Sequence, residues 1–157
     1  MMNQCSKVLN ALHGRTLATA ESCTGGGIGA ALTAVPGRSA VFRGGIICYC
    51  NEVKQSLLGV AEEDLNAYGA VSARVAEAMA FGAKRALNAD IAVSVTGLAG
   101  PDGDEFGNPV GTVFIGYADQ QTVCCKQYLF CGNREEIRRQ AIESALELVL
   151  RMQKISE

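Results

Sequence analysis

Four glycines crowd into five positions directly after an apolar run, in the stretch ATAESCTGGGIGAALTAV from Ala18 to Val35. Thr16 to Ala20 reads as a short buried strand. The residues from about Thr24 to Val35 read as a helix that Pro36-Gly37 ends. Each glycine in a helix costs about 1 kcal/mol relative to alanine. A turn of this kind lets a backbone approach a ligand or a neighbouring element closely. A strand, a glycine turn and a helix together form the repeating unit of an α/β fold.

The rest of the chain continues that alternation. The first 15 residues suit an amphipathic helix with Leu9 and Leu12 on one face. Val41 to Tyr49 is strand-like, with Gly44-Gly45 as a bulge or a close backbone approach. Helical segments follow at Asn51 to Leu58 and Glu62 to Tyr68, each stopped by a glycine. Ser72 is a good N-cap for a helix to Leu87, where Val75, Met79, Ala83 and Leu87 recur at helical spacing. Ile91 to Thr96 is a strand. Val110 to Ala118 and Thr122 to Cys131 form a hairpin about Asp119-Gln120-Gln121. Asn133 or its neighbour caps a last helix to about Lys154, with Ile137, Ala141, Ala145 and Leu148 inward. This order predicts a three-layer α/β/α sandwich on a mixed, mostly parallel sheet with one antiparallel member. With 157 residues and no linker or repeat, residues 1–157 are expected to form one domain.

Composition narrows the partners. A net charge of −2 supplies no basic field for nucleic acid. No apolar run reaches membrane-span length and no leader is recognised, so a cytoplasmic protein without a membrane partner is expected. Seven cysteines, an odd number without a CxxC pair, are expected to be reduced thiols, mostly small core residues. Cys48 and Cys50 share one strand face, but a metal site there would want histidine, and His13 is the only one. No metal and no cofactor is expected.

In an open α/β sheet, ligands bind beyond the carboxyl ends of the strands. Three loops qualify: Glu21–Gly27, Cys50–Lys54 and Gly97–Pro109. Ser22 ends a strand and precedes a helix, where free N–H groups can hold an oxyanion or a phosphate. The same position also suits Ser22 or Thr24 as a plain helix cap. Cys23 competes as a nucleophile, because helix N-termini favour thiolates. His13 lies in a separate polar helix, which argues against a Ser–His–Asp triad. A lysine with a lowered pKa can replace the histidine, and Lys54 is the candidate. Tyr49 ends its strand and Lys54 lies about one turn into the next helix, so both can face one crevice. Arg134, Arg138 and Arg139 open the last helix, either holding a phosphate or pairing with Glu135 on an exposed face.

Several of these stretches occur together. ATAESCTGG is followed by Y-x-N-x-x-K-x-x-L-L-G-V, GAVS, TGLAGPDG…PVGTV and GNREEIRRQA. In this order they resemble the CinA C-terminal domain family over nearly the whole chain. The active members of that family are nicotinamide mononucleotide deamidases. The resemblance implies a three-layer α/β/α domain that hydrolyses the carboxamide of a mononucleotide substrate to nicotinate mononucleotide and ammonia. It implies Ser22 as nucleophile, Lys54 as base and Tyr49 as a catalytic partner that relays or orients. It further implies Thr24, Gly25, Gly26, Gly97 and Gly100 as substrate-binding residues. Asn51 and Arg138 are expected to bind substrate beside them, and a homo-oligomer is expected. Longer family members carry a separate N-terminal domain, which this sequence is expected to lack. Cys50 stands where the family usually has serine, and Tyr68 where histidine often precedes GAVS. Two alternatives stay open: a silent nucleotide-binding paralogue, and an amidase for another small amide.

Overall fold

The computed structural model describes residues 1–155. In chain order the elements are α1 (Met2–Ala11), β1 (Leu17–Glu21), α2 (Gly27–Thr33), β2 (Phe42–Ile47), α3 (Asn51–Leu58) and α4 (Glu62–Tyr68). They continue as α5 (Ala73–Ala86), β3 (Ile91–Gly97), β4 (Thr112–Ala118), β5 (Val123–Leu129) and α6 (Arg134–Ile155). The sheet runs β2-β1-β3-β4-β5. β1 pairs parallel with β2 and β3, while β4 is antiparallel to both β3 and β5. The expected sandwich is therefore the observed fold, with β4 the one strand that runs against the others.

Local signals explain most boundaries. The Ser72 hydroxyl accepts from Val75 N and caps α5. Asn133 and Glu136 form a reciprocal box before α6. Asn133 Oδ1 accepts from Glu136 N at 2.9 Å, and Glu136 Oε2 accepts from Asn133 N at 2.7 Å. The Asp119 carboxylate accepts from Gln121 N and Thr122 N and closes the β4–β5 hairpin.

The two sheet faces carry different side chains. Leu17, Ile91, Val93, Val95, Val113, Ile115 and Tyr117 pack with α1, α2 and α6 in the larger core cluster. Ala18, Ala20 and Ala92 face α5 with Val75, Met79 and Ala83. Small residues let α5 lie close to the sheet, where a Cβ at Gly116 would stand 2.3 Å from Ala76 O. The same tightness joins α5 to α3, since a Cβ at Gly82 would meet Leu58 O at 1.9 Å. Gly82→Ala is therefore expected to lower Tm. The helix-propensity gain of about 1 kcal/mol is outweighed by an overpacking cost of about 1–3 kcal/mol or more. A thermal melt that rises instead would show that the α3–α5 contact yields.

All seven cysteines are free thiols, with Cys5, Cys23 and Cys48 buried as expected of core residues and Cys50 and Cys131 exposed. Among the described residues no helix is long and apolar enough to cross a membrane, and no group of three histidine, cysteine or carboxylate side chains is placed to hold a metal.

Candidate active site

β1, β2 and β3 end on the same side of the sheet, so the loops after them converge. A hollow of about 270 Å³ there is lined by Ser22, Tyr49, Asn51, Lys54, Gly97, Gly100 and Arg134, among others. All three loops expected to hold a ligand contribute to it. A second hollow of about 280 Å³ adjoins it past Tyr49, with Ser22, Cys23, Gly25, Ile47, Arg134 and Arg138 around it. Another hollow, of about 300 Å³, opens beside Arg15, Asp90 and Asp119. It carries no nucleophile, and its carboxylates are engaged by Thr16 and by Tyr117, Gln121 and Thr122.

Lys54 is the decisive side chain. It points inward from α3 and is 1% exposed. Its Nζ lies 3.1 Å from Ser22 Oγ, 2.7 Å from Cys48 O and 3.4 Å from Tyr49 O. No carboxylate pairs with it among the described residues. Burial pushes its pKa below the ordinary lysine value of 10.5. The Cys48 and Tyr49 carbonyls can only accept, so they take N–H bonds from Nζ, and its third contact is the Ser22 hydroxyl. A neutral amine, which burial favours, keeps two N–H bonds for the carbonyls and leaves its lone pair for the Ser22 proton. Ser22 itself is 8% exposed, open to the hollow and backed by Lys54.

Cys23 does not compete. Burial pushes its thiol up to about 11, and it has no histidine beside it. His13 lies in the turn after α1.

The turn after Ser22 departs from the expected cap. α2 begins at Gly27 rather than near Thr24, and neither Ser22 nor Thr24 caps it. Glu21, the last residue of β1, does so from inside. Its carboxylate is 2% exposed and accepts from Ile28 N at 2.8 Å and Gly29 N at 3.0 Å. It also accepts from the hydroxyls of Thr24 at 2.9 Å and Thr19 at 3.1 Å. The Thr24 hydroxyl is thus turned onto Glu21 and away from both hollows beside Ser22, so a contact of Thr24 with substrate would be through its main chain rather than its side chain. A capping glutamate lying seven residues before the amide it caps has no short-range signature in the sequence.

The glycines have separate causes. Gly25 and Gly26 adopt left-handed backbone, φ 57° and 95°, which the turn requires. Gly26 lines neither of these hollows. A Cβ at Gly27 would meet Ile142 Cδ1 of α6 at 2.5 Å, so glycine there lets α2 lie close to α6.

Tyr49 joins the pair through its main chain. Its ring is 68% exposed, and Arg134 Nη2 donates to its hydroxyl at 3.4 Å. The phenol is therefore a rim group, placed away from a direct relay between Ser22 and Lys54. Asn51, Gly97 and Gly100 line the hollow as expected. The arginines are sorted by the structure. Arg134, one of the three arginines offered for a phosphate, reaches Gly100 O and Tyr49 and lines both hollows. Arg138 instead donates to the Cys23 and Thr24 carbonyls. Arg139 pairs with Glu143 at 3.8 Å rather than with Glu135.

The sequence profile of the CinA C-terminal domain matches residues 1–153. The chain belongs to the CinA C-terminal domain family. The CinA-like protein of Thermosynechococcus vestitus is 48% identical over 140 residues, 87% of this chain and 34% of that protein. The CinA-like protein of Gemmatimonas aurantiaca is 45% identical over 151 residues, 96% of this chain and 34% of that protein. The chain thus spans about a third of these curated CinA-like relatives. The CinA superfamily protein of Klebsiella pneumoniae superposes with a TM-score of 0.94 at 33% identity, over 98% of this chain and 97% of that one. The competence/damage inducible protein of Agrobacterium tumefaciens gives 0.92 at 37% identity, over 96% and 94%.

Proposed function

We propose that this CinA-family chain hydrolyses the carboxamide of nicotinamide mononucleotide to nicotinate mononucleotide and ammonia. The observation that carries this reading is the buried, carboxylate-free Lys54 amine 3.1 Å from Ser22 Oγ. Neutral Lys54 takes the Ser22 proton as Oγ bonds to the carboxamide carbon. The carbonyl oxygen becomes an oxyanion. Because Glu21 occupies the first amides of α2, the donors for it are the Cys23 and Thr24 N–H groups next to the nucleophile. The Lys54 ammonium returns the proton to the nitrogen as the C–N bond breaks, and ammonia leaves. Water, deprotonated by Lys54, then cleaves the ester and restores Ser22. No step calls for a metal or an organic cofactor.

Two adjoining hollows favour an elongated ligand with its carboxamide at Ser22. The Arg134 side, past Tyr49, is the cationic end and suits the phosphate. An arginine that touches only the phosphate contributes uniform binding, so Arg134→Lys is expected to raise KM more than it lowers kcat.

The test is ammonia release from nicotinamide mononucleotide by the wild type beside Ser22→Ala. Turnover that Ser22→Ala abolishes supports the reading. A silent wild type whose Tm still rises with the nucleotide would mark a binding module instead, and turnover that survives Ser22→Ala would remove the serine from the chemistry.

A further inference from the structure

Arg138 lies one helical turn after Arg134, yet its guanidinium serves a different purpose. Nε donates to Cys23 O at 3.0 Å and Nη2 to Thr24 O at 3.2 Å. Both carbonyls belong to the turn that begins at Ser22. Within that turn Gly25 N donates to Ser22 O at 3.1 Å and Gly27 N to Thr24 O at 3.0 Å. Ser22 N is spent on Val95 O. Glu21 grips the turn from the interior through the Thr24 hydroxyl, and Arg138 grips it from α6. Gly25 lies beside this guanidinium, where a Cβ would make only an ordinary contact of 3.5 Å with Arg138 Nη2, so its left-handed backbone rather than the space calls for glycine.

We propose that Arg138 is a positioning residue for the nucleophile turn rather than a ligand for the substrate. In a trans peptide the C=O and N–H of one unit point in opposite directions. Holding Cys23 O therefore fixes the aim of Thr24 N–H, and holding both carbonyls fixes the chain on the far side of Ser22. That keeps Ser22 Oγ beside Lys54 Nζ and the turn amides on the acyl oxygen. The Nε–Nη2 edge, which would meet a phosphate bidentately, is already taken by the two carbonyls. Lysine in its place supplies a point charge without the fork. The inference rests on the serine amidase reading, so its test needs a readout that does not depend on the mononucleotide.

Arg138→Lys, with Arg138→Gln as second variant, is compared with wild type in two assays. One is steady-state ammonia release from nicotinamide mononucleotide. The other is the rate at which a fluorophosphonate phosphonylates Ser22, forming the Oγ–P bond as Lys54 takes the hydroxyl proton and fluoride leaves; this needs Ser22, Lys54 and the oxyanion donors only. Misplacing a nucleophile or an oxyanion donor costs about 10²-fold, so a 10–100-fold fall in kcat is expected. KM should stay within twofold, and labelling should fall by the same factor as kcat. Labelling at the wild-type rate overturns the proposal, and a raised KM with unchanged kcat makes Arg138 an anion ligand. If wild type labels but releases no ammonia, the mononucleotide reading has failed and the labelling comparison still decides Arg138. If wild-type Ser22 does not label, the nucleophile reading and this inference fall together. Should Arg138→Lys fail to fold, Arg138→Gln, which retains one amide donor, is judged by the same two rates.

Discussion

Lys54→Met is expected to lower kcat for ammonia release by about 10³–10⁴-fold, the range for loss of a general base that acts as a unit with its nucleophile. The same change is expected to move Tm by only a few degrees. Methionine follows the lysine stem and fills a similar volume. Removing the amine ends the cost of burying it without a counter-ion. Against this, Cys48 O and Tyr49 O lose a donor, at about 1–3 kcal/mol for a buried carbonyl left alone. The two effects oppose, and 1 kcal/mol is about 2–4 °C in a chain of this size.

The pH dependence follows from the same burial. Only the neutral amine accepts the Ser22 proton, so kcat/KM rises with pH through the lowered Lys54 pKa. For stability the sign is the reverse of an ion-paired lysine. Between the lowered folded value and the ordinary 10.5, the unfolded chain holds a proton that the folded chain does not. Stability therefore climbs with pH across that window. Below the folded value both states are protonated and the full destabilisation is present. The Tm of Lys54→Met minus that of wild type should be most positive at low pH and shrink as pH approaches 10.5. A difference that stays flat across that range would show that the amine is solvated rather than buried.

Glu21→Ala is expected to destabilise by about 3–5 kcal/mol, in the tail of single-substitution effects, because it orphans several buried donors at once. The Ile28 and Gly29 amides and the Thr19 and Thr24 hydroxyls all lose their acceptor. Tm should fall by on the order of 10 °C. Activity should fall as well at temperatures where the variant is still folded, since the turn that carries Ser22 loses its inner anchor. Glu21→Gln is expected to fall between. Its amide oxygen can serve one pair of donors, while its NH2 faces the other pair. A melt of Glu21→Ala within about 3 °C of wild type would mean that water replaces the carboxylate.

Much of this could be read from the chain because the relevant forces act over a few residues. Caps at Ser72 and Asn133, the Asp119 hairpin turn and the spacing of Ile137, Ala141, Ala145 and Leu148 are local, and the elements they mark lie where expected. Alternating strands and helices dictate the layers, and the layers dictate that three strand ends share one crevice. Ser22 and Lys54, 32 positions apart, could be offered as a pair from the strand-end loops that carry them, and the resemblance to a known family gave them roles. What local pattern does not carry is the direction of a side chain at a strand end or on a first helical turn. The pleat sends Glu21 inward under α2 and leaves Ser22 facing the hollow, so the cap falls to the residue before the expected one. α6 runs beside that turn, so Arg134 reaches the rim while Arg138, four residues on, reaches the carbonyls. Tyr49 lends its carbonyl to Lys54 and turns its phenol outward. Element type and order follow from propensity and periodicity along the chain. The identity of each partner follows from packing between elements far apart in sequence, and only the folded chain sets it.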